Sequence, residues 1–174
     1  MSLYPHMIER ANKPHLGIFG RRNHGKSSLI NAITGKEIAV VSDMPGTTTE
    51  PVYHSVEIAG LGYVVLIDTA GIDDLGELGE LKNKKNKQII DIIDLAILVM
   101  AGNKFGIYET EILSDFRERD VPVVFVHNKC DLQPLNDELG DEIEIKYDSK
   151  TIEFSTLQSG NLEELIETIR TCWH

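Results

Sequence analysis

Gly20-Arg21-Arg22-Asn23-His24-Gly25-Lys26-Ser27 fits the spacing G-x-x-x-x-G-K-S/T and lies between an apolar β-rich run and a helix-period run, the context in which that spacing does chemistry. Glycines let backbone N–H groups turn inward around phosphate oxygens, and the N-terminus of the following helix adds its positive end. Lys26 supplies a point charge to the β- and γ-phosphates, and the Ser27 hydroxyl is suited to ligate Mg²⁺. Asn23, His24, Gly25 and Ser28 complete the expected nucleotide-binding set around them. A glycine-rich connecting turn is the plainer alternative, and the strand-to-helix context speaks against it.

Asn128-Lys129-Cys130-Asp131 comes directly after a later apolar run, where an α/β sheet places its ligands. A carboxylate there accepts two hydrogen bonds from guanine N1–H and its 2-amino group. Adenine offers neither donor, and a site that leaves a buried polar group unpaired can reject an analogue by about 10⁴–10⁵-fold. GTP or GDP is therefore the expected ligand. Ser155-Thr156-Leu157 ends the next strand, where backbone donors can meet the guanine O6. Asp68-Thr69-Ala70-Gly71 closes the third strand, with Asp68 placed to hold Mg²⁺ through water and Gly71 to bring its N–H to a γ-phosphate. Within Gly46-Thr47-Thr48-Thr49, a hydroxyl, assigned to Thr48, can complete the Mg²⁺ shell; three threonines also read as a solvated loop, so this assignment rests on its neighbours.

Positioning these residues requires a parallel sheet covered by helices, which alternation of short β-rich runs with helix-period runs predicts. His15 to Phe19 reads as a first strand and Lys26 to Thr34 as a helix with Leu29, Ile30, Ala32 and Ile33 on one face, ended by Gly35. Val52 to Ile58 and Tyr63 to Asp68 form an antiparallel hairpin around Ala59-Gly60-Leu61-Gly62. A Gly/Asp/Glu-rich loop and a Lys-rich helix around Leu81 to Ile92 precede the wholly apolar strand Leu95 to Met100, which should be central. Ile107, Ile112, Leu113 and Phe116 predict one side of a further helix, followed by strands Val121 to His127 and Thr151 to Phe154. Asn161, with Glu164 three residues on, resembles a capping box opening the last helix, whose Leu162, Leu165, Ile166 and Ile169 keep helical spacing. No repeat or linker divides residues 1–174, and one domain is expected.

Composition agrees. The 17 basic and 28 acidic residues give a net charge of −11, which disfavours direct nucleic-acid or anionic-lipid binding, since both need cationic patches. A chain of 174 residues buries about 68–70% of its unfolded surface and needs no disulfide staples. Cys130 and Cys172 match no zinc-ligand spacing. No apolar stretch reaches the length of about 18 residues that a membrane helix needs, nor does the start carry an apolar signal region, so a cytoplasmic protein is expected.

With GRRNHGKS, GTTT, DTAG, NKCD and STL in order, the chain resembles the translation-factor-related GTPases of the Era and tRNA-modification type over roughly residues 15 to 172. That resemblance implies a Ras-like G domain of the P-loop NTPase fold: α/β, with a six-stranded, mostly parallel sheet, one antiparallel strand and helices on both faces. SDMPGTTTEPVY and LIDTAGIDDLGELGELK are most similar to the GTPase domain of the HydF family, which matures FeFe-hydrogenase. The family implies a C-terminal dimerisation domain and an iron–sulfur domain, with radical-SAM maturases and the hydrogenase as partners, and a homodimer of the G domain or of the full-length protein. Since the chain has none of the iron–sulfur ligands, a GTPase domain excised from a longer protein is expected.

Two further expectations follow from the resemblance. Asn23 matches the asparagine that, in potassium-activated relatives, holds K⁺ beside the phosphates, with the carbonyls of Ser42 and Met44 as partners by alignment; such a K⁺ takes the place of an arginine finger. A tolerated loop residue is the alternative for Asn23. Ile72 stands where Ras-like proteins have a water-orienting glutamine, and counting from Asp68 assigns that work to Glu80; Glu77 and Glu80 equally fit a solvated acidic loop. Arg21 and Arg22 are expected to point to solvent, the Lys82 to Lys87 run to form a solvated helix face, and His24 and His127 to pack rather than ligate. The function expected is a Mg²⁺-dependent GTPase switch whose loops at 36 to 50 and 71 to 82 order and release. A GTP-binding module with incidental hydrolysis, and a GTPase of tRNA modification or ribosome assembly, are the alternatives.

Overall fold

Leu16 and Ile18 face one side of strand β1 (His15–Gly20) and Phe19 the other, all three with no exposed surface, so β1 must lie between two packed layers. The computed structural model describes residues 13–21, 25–36, 50–69, 77–129, 132–155 and 160–172, with 77–83 and 160 as helix backbone alone. After β1 come α1 (Lys26–Thr34), β2 (Val52–Ile58), β3 (Gly62–Asp68), α2 (Glu77–Ile90), β4 (Leu95–Ala101) and α3 (Ile107–Glu118). Strand β5 (Val123–Asn128), α4 (Asp137–Tyr147), the two-residue β6 (Ile152–Glu153) and α5 (Gly160–Cys172) follow.

The six strands lie in the order β2-β3-β1-β4-β5-β6. β2 pairs antiparallel with β3, and every other pair is parallel, which is the Ras-like G-domain architecture. β4 is buried along its whole length, as its apolar sequence predicts for a strand covered on both faces. Leu29, Ile30 and Ile33 of α1 and Leu165, Ile166 and Ile169 of α5 pack on one face. Ile89 and Ile90 of α2, Ile112, Leu113 and Phe116 of α3, and Ile143 of α4 pack on the other. There Phe19 and Phe116 meet edge to face with ring centroids 5.0 Å apart, a pairing that contributes about 0.5–1.5 kcal/mol beyond its buried area. No described helix is long and apolar enough to cross a membrane.

Several elements differ from the sequence reading. Ile107 is 76% exposed because it opens α3 ahead of the first inward-facing turn; the charged Glu109 takes the buried position instead. α2 begins at Glu77, which puts Glu77 and Glu80 on a helix rather than in a loop. The Lys82 to Lys87 run is not simply solvated: Asn86 is buried and Lys85 forms an ion pair with Glu50, while Lys84 and Lys87 are exposed as expected. β5 starts after Pro122, which has no N–H to give the ladder, and runs on to include Asn128, opposite Ala101.

α4 is a helix that its acidic composition hides. Leu139, Ile143 and Tyr147 line its inner side at four-residue spacing, and Asn136 caps it by accepting from the Glu138 N–H at 3.0 Å. Asn161 does not cap α5. The helix already begins at Gly160, and Asn161 Nδ2 instead donates to the Glu153 carbonyl.

Candidate functional site

The sheet register carries the ends of β1, β3 and β5 to one edge: Ile18 lies opposite Asp68, Gly20 opposite Val99, and Ala101 opposite Asn128. The chain leaves β1 between strands that diverge to opposite sides of the sheet, so Gly20, Arg21 and the start of α1 sit at the switch point where an α/β sheet opens a crevice.

Gly25 adopts φ +83°, the left-handed conformation that glycine takes without penalty, and α1 starts at Lys26. Gly25, at the cap position, has no side chain to bond the first turn, and no acid occupies that turn, so the first N–H groups and positive dipole end of the helix suit an anion. Lys26 Nζ donates to the Gly20 carbonyl at 3.2 Å, folding back across the loop. Ser27 and Ser28 stand half-buried in the first turn of α1.

Asp68 ends β3. Its carboxyl pKa is raised, chiefly by burial, with Lys26 and then His54 opposing the rise. A partly dehydrated carboxylate fits a site for a divalent cation, whose charge would relieve that burial. Thr69 is buried and tied to β1, its hydroxyl donating to the Ile18 carbonyl at 2.6 Å.

Asn128, buried at the end of β5, donates from Nδ2 to the Gly25 carbonyl at 3.2 Å, and its Oδ1 accepts the Lys129 N–H at 2.9 Å. A Cβ added to Gly25 would stand 2.3 Å from Asn128 Nδ2 and 3.4 Å from Lys129 Cε, so the base motif and the phosphate loop are in contact. Ser155 is buried just beyond β6. Asn23, His24, Ser42, Met44, Thr48, Gly71, Ile72, Asp131, Thr156 and Leu157 lie outside the described residues, as do Arg22, Cys130 and the side chain of Glu80.

Arg21 corrects the expectation of a solvent-facing side chain. It donates from Nε to Glu109 Oε2 at 2.9 Å and from Nη2 to Oε1 at 2.7 Å, and Glu109 has no exposed surface. The cause is that a carboxylate buried at the start of α3 needs a charged partner. Glu109 is a residue the sequence reading missed, although Gly106-x-x-Glu109 is the half of a capping box that could have revealed it: the Gly106 N–H donates to Oε1 at 2.7 Å.

Asn103 was missed too. At φ +56°, its N–H donates to His127 Nε2 at 3.1 Å, its Nδ2 to the Pro134 carbonyl at 3.0 Å, and its Oδ1 accepts the Asn136 N–H at 2.7 Å. These bonds hold the chain just beyond the base motif. His127 packs, as expected, and burial lowers its pKa while Glu153 opposes that shift.

Comparison with known proteins agrees with this geometry. Residues 15–129 match the family described as 50S ribosome-binding GTPase. The tRNA modification GTPase MnmE of Nitrosomonas eutropha is 34% identical over 152 residues, covering 86% of this chain and 32% of that protein. MnmE of Desulfitobacterium hafniense is 34% identical over 159 residues, covering 88% of this chain and 33% of that protein. Among solved structures, an Aquifex aeolicus Era variant bound to GDP.AlF4- superposes with a TM-score of 0.77 at 27% identity, over 91% of this chain and 56% of that one. The chain thus spans about a third of the length of these MnmE relatives. A left-handed Gly25 at the switch point, Asn128 bonded to it and a match that runs from β1 to Lys129 lead to one conclusion: the chain belongs to the 50S ribosome-binding GTPase family and is a GTP-hydrolysing domain of the P-loop type.

Proposed function

We propose that this domain is the regulatory GTPase switch of an FeFe-hydrogenase maturation scaffold. The observation that carries the switch reading is the bond between Asn128 Nδ2 and the Gly25 carbonyl, which makes nucleotide base and phosphate sites one unit. The local sequences SDMPGTTTEPVY and LIDTAGIDDLGELGELK support the hydrogenase assignment.

In this reading the N-terminus of α1 and the Lys26 ammonium hold the β- and γ-phosphates, and Asn128, Lys129 and Asp131 hold guanine, with Ser155, Thr156 and Leu157 at its O6. Ser27, Thr48 and Asp68 are the residues that would hold Mg²⁺, which supplies positive charge to the phosphate oxygens. The Asn23 side chain, with the Ser42 and Met44 carbonyls, would hold K⁺, and Glu80 orients the attacking water. The Gly71 N–H meets the γ-phosphate, so the segments before β2 and at the start of α2 reorder when that phosphate leaves.

The 34% identity to MnmE proteins favours a second reading, a GTPase of tRNA modification. One experiment separates them: the full-length protein, wild type or Lys26→Ala, is supplied to hydrogenase maturation and to tRNA-modification reactions that lack their own GTPase. Hydrogenase activity from the wild type alone is expected. Restored tRNA modification with no hydrogenase activity would overturn the first reading in favour of the second.

A further inference from the structure

We infer that Arg21 and Glu109 are a positioning pair that sets the phosphate loop against α3 and thereby governs the grip on the nucleotide's phosphates. The inference rests on the reading of Gly20 to Ser27 as the phosphate site. Arg21 is the first residue after β1, and it reaches across 88 positions of sequence to Glu109. Both guanidinium bonds, 2.9 Å and 2.7 Å, run in parallel to the two carboxylate oxygens, the two-pronged geometry that fixes orientation as well as distance. The Gly106 N–H adds a third donor to the carboxylate at 2.7 Å. The Tyr108 ring lies 5.9 Å from the guanidinium carbon, a stacking that lysine would not reproduce.

As a source of stability such a pair is poor, because dehydrating two charges offsets most of their attraction. What it provides is direction. Glu109 has no exposed surface, and Arg21 retains 27%, so the fixed partner is the one on α3 and the loop is the part being held. At the other end of the same loop, Asn128 Nδ2 holds the Gly25 carbonyl. Lys26 spans the two ends through its bond to Gly20. The loop is thus gripped at its first residue by α3 and at its last glycine by β5. With either grip released, the two described ends of the loop would lose their fixed separation. The space is tailored as well: a Cβ on Gly106 would come within 3.2 Å of Arg21 Nη2, so the guanidinium lies against a helix start that has no side chain there.

The test replaces both charges at once, Arg21→Met with Glu109→Leu, which avoids a lone buried carboxylate. It is run beside Arg21→Lys, which keeps the charge and loses the fork. For each variant, thermal unfolding is measured, together with calorimetric affinity for guanosine, GDP and GTP and single-turnover GTP hydrolysis. The expected result is a folded protein with wild-type guanosine affinity, GDP and GTP affinities weakened about tenfold or more, and hydrolysis slowed by a similar factor, the scale on which small misplacements act. Arg21→Lys should share this pattern, and it carries the test if the double variant does not fold. Wild-type GDP-to-guanosine preference and turnover in folded variants would overturn the inference, as would an equal loss for guanosine and GDP, the mark of general loosening. If the wild type itself binds guanosine as tightly as GDP, the phosphate-site reading fails first, and that outcome is distinct from the others.

Discussion

Asn128 Nδ2 donates to the Gly25 carbonyl across 3.2 Å, so the last residue of β5 and the last glycine of the phosphate loop share one hydrogen bond. The Lys129 stem lies against the same glycine. In the proposed site this bond joins the base motif to the end of the phosphate loop opposite Arg21.

That link makes Gly25 intolerant of any side chain. In Gly25→Ala the new Cβ would lie 2.3 Å from Asn128 Nδ2 at a φ of +83°, and left-handed strain alone costs about 1–3 kcal/mol. Calorimetry should show GDP binding lost, and thermal unfolding should show a fold that is weakened and still cooperative.

In the proposed site, Asp131 is the residue that selects the base. The domain should bind GTP and GDP far more tightly than ATP, and Asp131→Asn should shift preference toward xanthosine nucleotides, because an amide can donate to the 2-oxo group. Equal GTP and ATP affinities in a titration would contradict the assignment.

Burial raises the Asp68 pKa, with Lys26 and His54 opposing, so at neutral pH the ionised carboxylate is held at a cost in stability. A raised carboxylate pKa contributes stability at low pH that is lost as pH rises through the folded value. Asp68→Asn should therefore raise the unfolding midpoint of the nucleotide-free protein at pH 7 while raising the Mg²⁺ concentration that GTP hydrolysis requires. Lys26→Ala should abolish hydrolysis and lower that midpoint, since it removes the main charge opposing the cost of burying Asp68.

Potassium dependence is read from phosphate release in matched KCl and NaCl. Sodium should slow wild-type turnover, since a smaller cation cannot reach the same carbonyl and phosphate ligands at relaxed distances. Asn23→Ala should erase the difference between salts while sparing nucleotide binding, and Glu80→Ala should lower the rate in both. Equal wild-type rates in the two salts would rule out the potassium mechanism.

His127 accepts the Asn103 N–H at Nε2 and must be neutral at that nitrogen to do so. Burial lowers its pKa from 6.5, so the unfolded chain binds a proton at a higher pH than the folded one. Stability is then fully present above the unfolded value and declines as pH falls from about 6.5 toward the folded value. Urea midpoints taken from pH 7.5 to 5.5 should fall less steeply for His127→Gln than for the wild type.

Much of the architecture was legible in the residues alone. Lys26 to Thr34, the hairpin about Gly60 and the buried strand from Leu95 are local patterns, in which period and turn chemistry act within a few residues. The GTPase family was legible for the same reason, since each of its motifs packs into four to eight consecutive positions. Helix α4 escaped because Leu139, Ile143 and Tyr147 are its only inward-facing signal among acids. Which side chains meet across the molecule was decided by tertiary structure. Glu109 reads as a solvated acid until α3 presses it against β1's end, where burial makes a charged partner obligatory and draws Arg21 inward from solvent. The Asn128–Gly25 bond joins residues 103 positions apart, and Asn103's hold on Pro134 and Asn136 is likewise long-range. Sequence specifies the groups that can bond over short separations; the sheet register and the helix docking that bring distant groups together arise from packing of the whole core.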